Sequence, residues 1–159
     1  MKLMPARERR SVGALGLAFV LGACATAAVQ HAVPRVEAAL AATVVPFAEA
    51  PVRANPPGTA RVHHLARGEN AYVGLLEMAA GAAVPPHRDA TEEYIHVLEG
   101  SGSMVIDGQT WAVHAGDTIF MPANAEVRFQ NGDAPMRGLQ VFAGPAPAAK
   151  YEAWTPVEP

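Results

Sequence analysis

A histidine and three carboxylates crowd together near the middle of the chain, in the stretch Gly81–Gly100, GAAVPPHRDATEEYIHVLEG. They are His87, Asp89, Glu92 and Glu93, and a β-rich run, Tyr94–Leu98, follows them up to a glycine. Side chains alternate across a strand, so His87 and Asp89 share one face. After a short turn Glu93 returns to that face as the next strand starts, while Glu92 and His96 alternate outward. One imidazole and two carboxylates converging inside a β-structure make a donor set for a divalent metal. The set is harder than two histidines with one carboxylate, and it favours Mn²⁺, Mg²⁺ or Fe²⁺ over Cu²⁺ or Zn²⁺.

The elements that would position these groups are short strands with turn chemistry between them. Ala60–Ala66 and Ala71–Met78 read as strands around the turn Arg67-Gly68-Glu69-Asn70. Ala79–Val84 reads as a small-residue loop, and Pro85-Pro86 stiffens the approach to His87. Glu92–Leu98, Ser103–Ile106, Thr110–Val113, Thr118–Met121, Glu126–Gln130 and Arg137–Ala143 continue the pattern, with Asp107-Gly108 as a hairpin signal. Such spacing predicts an all-β sandwich or barrel.

The same residues resemble the first motif of the cupin superfamily: glycine, five residues, His-x-His, three or four residues, Glu, six residues, glycine. Gly81, His87, Glu93 and Gly100 fall on it, with Asp89 at the second histidine. The second motif matches at Gly116, Pro122 and Asn131, with Asn124 at its inner glycine and Val127 at its histidine. The resemblance covers roughly Arg61 to Gly144. It implies a double-stranded β-helix, the jelly-roll barrel, and a metal site that here keeps His87, Asp89 and Glu93 as ligands. The cofactor to test for is a divalent metal, Mn, Fe or Ni. Ile95, Met121, Val127 and Phe129 would line an apolar pocket, with Tyr94 or Gln140 orienting a bound molecule. In the alternative, the metal is lost and His87 pairs with Asp89 or Glu93 at the barrel mouth.

Four segments follow. Residues 1–24 read as a signal peptide: Lys2, Arg7, Arg9 and Arg10 precede the apolar run Val12–Ala23, which is short for a membrane span. Leu21-Gly22-Ala23-Cys24 resembles a bacterial lipobox, with Cys24 lipidated; cleavage within Ala23–Ala28 by an ordinary signal peptidase and an uncleaved anchor are the alternatives. Residues 25–58 read as an Ala/Pro-rich linker or arm that contains His31, with one short helix over Pro34–Ala42. Residues 59–144 are the barrel. Residues 145–159 hold four prolines and are expected to lie across the outside of it, anchored by Tyr151 and Trp154. These readings place the protein outside the cytoplasm: in the bacterial envelope, periplasmic or lipid-anchored, or secreted.

The formal charge is −3 and basic residues cluster only at the start, which argues against nucleic-acid binding. Cys24 is the only cysteine, so no disulfide closes within the chain. His63 and His64 are neighbours and face opposite ways, and His114 is expected at the surface. There is no nucleophile–base pair, phosphate loop or zinc pattern. Two functions remain. One is a metal-dependent enzyme acting on a small organic molecule; the other is a metal-free, non-catalytic ligand-binding or sensory module of the envelope. The expected partners are a small molecule, a lipid bilayer only through Cys24, and a second copy in a homodimer.

Overall fold

The computed structural model describes residues 41–158. The leader with Cys24, His31 and residues 25–40 of the linker, with most of the helix expected over Pro34–Ala42, lie outside the described residues. Eleven strands form the domain: β1 (Val52–Ala54), β2 (Ala60–Arg67), β3 (Tyr72–Met78), β4 (Ala83–His87), β5 (Glu93–Glu99), β6 (Ser101–Ile106), β7 (Gln109–His114), β8 (Thr118–Met121), β9 (Val127–Asn131), β10 (Met136–Phe142) and β11 (Thr155–Val157). They make an antiparallel seven-stranded sheet, β11-β1-β2-β3-β10-β5-β8, and a four-stranded sheet, β4-β9-β6-β7. This is the all-β jelly roll that the motifs imply.

Alternation builds the core. In β5, Glu93, Ile95 and Val97 are buried while Tyr94 and His96 are exposed. In β9, Val127, Phe129 and Asn131 are buried while Arg128 and Gln130 are exposed. Inward residues from both sheets meet as one apolar cluster that includes Met78, Ile95, Val97, Met104, Ile119, Met121 and Phe129. A second, smaller cluster joins Val62, Tyr72, Phe142, Ala148 and Tyr151.

The motif residues earn their places through the backbone. Gly100 has φ +85, and a Cβ there would lie 2.6 Å from the Pro135 carbonyl oxygen, so no side chain fits. Asn124, at the motif's inner glycine, has φ +62, a left-handed conformation that asparagine tolerates better than most residues. Asn131 donates from Nδ2 to the carbonyls of Ala79 (2.8 Å) and Ala134 (3.0 Å), tying two loops together.

Three segments differ from expectation. Residues 83–87, read largely as loop, pair with β9, and the register shifts between Val84 and His87. That shift absorbs Pro85 and Pro86, and β4 is an edge strand, where proline is tolerated. The sheet also begins earlier than expected, since β1 lies within the segment read as linker. The C-terminal tail, finally, is not confined to the outside. It forms a 3-10 helix, Ala146–Ala153, and then β11, which pairs with β1. Arg53 fixes the turn between them by donating to the carbonyls of Glu152 (3.1 Å) and Trp154 (2.9 Å). This turns Tyr151 inward, where it is only 3% exposed.

Candidate functional site

Both sheets contribute to the site. His87 ends β4 in the four-stranded sheet, Glu93 opens β5 in the seven-stranded sheet, and Asp89 sits in the loop between them. One donor atom from each lies within 4.8 Å of the others. His87 Nδ1 is 3.0 Å from the Pro85 carbonyl oxygen. A carbonyl only accepts, so Nδ1 carries the proton and, in the neutral ring, Nε2 keeps its lone pair. Nε2 is 3.6 Å from Asp89 Oδ2, an ion-pair separation rather than a hydrogen bond.

Behind Glu93 runs a buried relay. Tyr151 donates its hydroxyl proton to Gln140 Oε1 (2.7 Å), and Gln140 Nε2 donates to Glu93 Oε1 (2.5 Å). Glu93 and Gln140 are both buried. In front, Lys150 from the 3-10 helix donates from Nζ to Asp89 Oδ2 at 2.8 Å. The same ammonium lies 4.8 Å from the centre of the Phe142 ring, within cation–π range.

These neighbours divide the protons unequally. Burial pushes Glu93 above the usual carboxyl range, against the opposing pull of Lys150 and Gln140. Burial also works against the charge on Asp89, but His87 and Lys150 outweigh it and hold Asp89 low. The Asp89 carboxylate raises His87, against desolvation. Burial, then the charge of Glu93, carries the Tyr151 phenol well above its ordinary value. The end of the barrel therefore presents an imidazole, a carboxylate-bound ammonium and a buried carboxyl group held toward its protonated form. Such a set can hold an oxygen-bearing group and exchange protons with it.

A divalent metal is a different matter. Three donors of suitable type are present, but Val127 stands opposite His87 in the β4–β9 register and leaves that side apolar. More tellingly, the Lys150 ammonium already occupies Asp89. A dication bonds a carboxylate oxygen at about 2 Å, so at Asp89 Oδ2 it would meet the Lys150 ammonium across one atom. As arranged, the residues do not suit a resident divalent metal.

The polar end opens onto a cavity of about 280 Å³. Ile95, Met121, Val127, Phe129 and Gln140, singled out from the sequence, all line it. Tyr94 does not. It is 37% exposed and stacks on Phe120 with ring centres 5.1 Å apart, while its hydroxyl donates to Glu92. The reason is the alternation itself: the neighbour of an inward Glu93 must face out. His96 is exposed against Thr118, and His114 is exposed beside Asp117. His63 stacks on Phe47 and His64 meets the Tyr72 hydroxyl, so neither reaches the cavity. Sequence reasoning missed Lys150 at the polar end. It also missed Met78, Met104 and Met136, which join Met121 on the apolar wall. Methionine at alternate strand positions is a faint signal, because its flexible thioether fills cores as readily as it lines pockets.

The raised Glu93 gives a pH prediction. In the unfolded chain this group ionises near its ordinary 4.5, whereas the folded site keeps it protonated to higher pH. The stability that the protonated acid contributes is present below 4.5 and is lost as pH rises through the folded value. Glu93→Gln retains an acceptor for Gln140 and carries no charge. It is expected to melt a few degrees above the parent at neutral pH and level with it at pH 4. Thermal unfolding across pH checks this, and a constant difference at every pH would refute the assignment.

With this geometry in hand, comparison with known proteins gives a consistent picture. Residues 74–142 match the family model described as a cupin domain. A dimethylsulfoniopropionate lyase, DddW, from Ruegeria pomeroyi is 33% identical over 81 residues, which are 51% of this chain and 51% of that protein. An uncharacterised protein of Methanocaldococcus jannaschii, MJ1618, is 35% identical over 78 residues, 44% of this chain and 62% of that one. The chain thus spans between about half and three-fifths of these curated relatives. Among solved structures, an RmlC-like cupin from Shewanella frigidimarina superposes with a TM-score of 0.60 at 15% identity, covering 65% of this chain and 92% of that one. At that identity the likeness speaks for the fold alone.

Proposed function

The chain belongs to the cupin superfamily, and from that premise we propose that its barrel interior binds a small, mostly apolar organic molecule with an oxygen-bearing head group, without needing a metal ion. One observation carries this reading. The cavity of about 280 Å³ is apolar along most of its wall and polar at one end, where His87, Glu93, Gln140, Lys150 and Tyr151 converge. Specific pockets for small ligands have this make-up. At about 30 Å³ per heavy atom of a liquid, the space suits a molecule of about ten non-hydrogen atoms.

Trp154 lines the cavity and stacks edge-on against Tyr151, with ring centres 4.8 Å apart, so intrinsic fluorescence should report entry. A panel of medium-chain alcohols, ketones and carboxylic acids is the test. A binder at 100 times its Kd should stabilise the chain by about 2.7 kcal/mol and raise Tm by about 10 °C. Val127→Phe, which fills the space beside His87, should cancel the shift. A panel with no shift and no fluorescence change would sink the proposal.

A second reading, a metal-dependent enzyme, is supported by the three donor atoms within 4.8 Å. The similarity to a lyase from Ruegeria pomeroyi is consistent with an enzymatic reading. Stoichiometric Mn, Fe or Ni in the purified chain, lost in His87→Ala, would favour that reading over the first.

A further inference from the structure

The proposed pocket has a polar end whose charge the cupin motifs do not account for. Asp89 and Glu93 come from motif positions, but the cation beside them comes from the C-terminal tail. Lys150 is held in three ways. Its ammonium bonds Asp89 Oδ2 at 2.8 Å and lies 4.8 Å from the centre of the Phe142 ring. It is also carried on a 3-10 helix whose next residue, Tyr151, is buried and bonded to Gln140. Beyond that helix, Arg53 and the β1–β11 pairing fix the chain. An ammonium has three donors, and the bond to Asp89 uses one of them. Lys150 also lines the cavity, so donor capacity remains on the pocket side.

We propose that Lys150 is the built-in cation of this site, standing where a divalent metal would otherwise balance Asp89, and that it restricts the ligand to apolar molecules ending in a carboxylate or similar oxyanion. The specificity rests on the pocket reading above. The charge balance stands without it. Asp89 and Lys150 neutralise each other, so Asp89 offers no surplus negative charge to draw in a dication. Removing the ammonium leaves Asp89 with only the His87 imidazole beside it, so the carboxylate, imidazole and Glu93 are free to share a metal ion. An incoming carboxylate, by contrast, meets the remaining donors of the ammonium at the end of an apolar channel.

Two arms test this on the full chain. In the first, parent, Lys150→Met and Lys150→Arg are melted with and without Mn²⁺. Lys150→Met should gain a Mn²⁺-dependent rise in Tm that Asp89→Asn abolishes, while the parent and Lys150→Arg show none. In the second arm, octanoate should bind the parent at least about tenfold more tightly than 1-octanol, one charge-assisted hydrogen bond being worth about that much. Lys150→Met should bring the ratio close to one. Lys150→Arg keeps a positive charge and should retain most of the preference, which guards against a simple folding defect. A parent that takes up Mn²⁺, or a Lys150→Met chain with the full preference, would overturn the proposal. If octanoate and octanol bind the parent equally, the selectivity fails and the pocket survives. If neither binds, the pocket reading fails and the Mn²⁺ arm still decides whether Lys150 replaces a metal.

Discussion

The triple variant Asp89→His, Val127→His, Lys150→Met is expected to bind Mn²⁺ stoichiometrically, at least about 100-fold more tightly than Lys150→Met alone. Each change restores one element that the site lacks. Val127 is the register partner of His87 across the β4–β9 ladder, and both side chains line the cavity. Directly opposite residues on neighbouring strands hold their Cβ atoms about 5 Å apart, so an imidazole at 127 meets the one at 87 around a common centre. A histidine at 89 replaces the charged oxygen that Lys150 now occupies. Glu93 then faces a metal cation, which favours its charged form. Calorimetric titration with Mn²⁺ reads the affinity, and Val127→Ile in the same background serves as the volume control. An unchanged affinity would mean that the two sheets do not converge here as described.

The fold was readable because its signals are local. Alternation in Tyr94–Leu98, the Asp107-Gly108 turn and the spacing from Gly81 to Gly100 each depend on neighbours in the chain, and β5 and the β6–β7 hairpin form where those signals stand. His87, Asp89 and Glu93 do come together, but Asp89 lies in the loop after β4 rather than on its face, and the placing of His87 and Glu93 in different sheets is not visible in the sequence. Tyr94 is turned outward by the alternation that puts Glu93 inside, so it does not orient a molecule in the cavity. Lys150 and Tyr151 were not legible as site residues for a different reason. The tail Pro145–Pro159 has no hydrophobic period, and its course is set by β11 pairing with a distant strand and by Arg53. Nothing within the tail announces either partner. The first strand was hidden in the same way, since Val52–Ala54 is a strand only because β2 and β11 flank it.

Phe142→Ala is expected to be the most destabilising single change in the domain outside the glycine turns, and to disturb the site from beneath. Phe142 has no exposed surface and packs against Tyr72 with ring centres 5.9 Å apart. Truncating a buried phenylalanine removes its transfer free energy and leaves a cavity, about 3–5 kcal/mol together. For a domain of this size that is roughly 10–20 °C in Tm, against a degree or two for Phe120→Ala, since Phe120 is 48% exposed. Stability alone does not separate packing from the second role of the ring, which is to seat the Lys150 ammonium on its face. Phe142→Leu does. Leucine keeps much of the apolar volume, so the loss of stability should be smaller, but it offers no π-face. If the ring positions Lys150, Phe142→Leu should lower the octanoate preference by more than its modest melting shift accounts for. If the ring only fills space, Phe142→Leu should keep the preference intact. Measured well below both melting temperatures, the two outcomes differ in the binding ratio and not in the folded fraction.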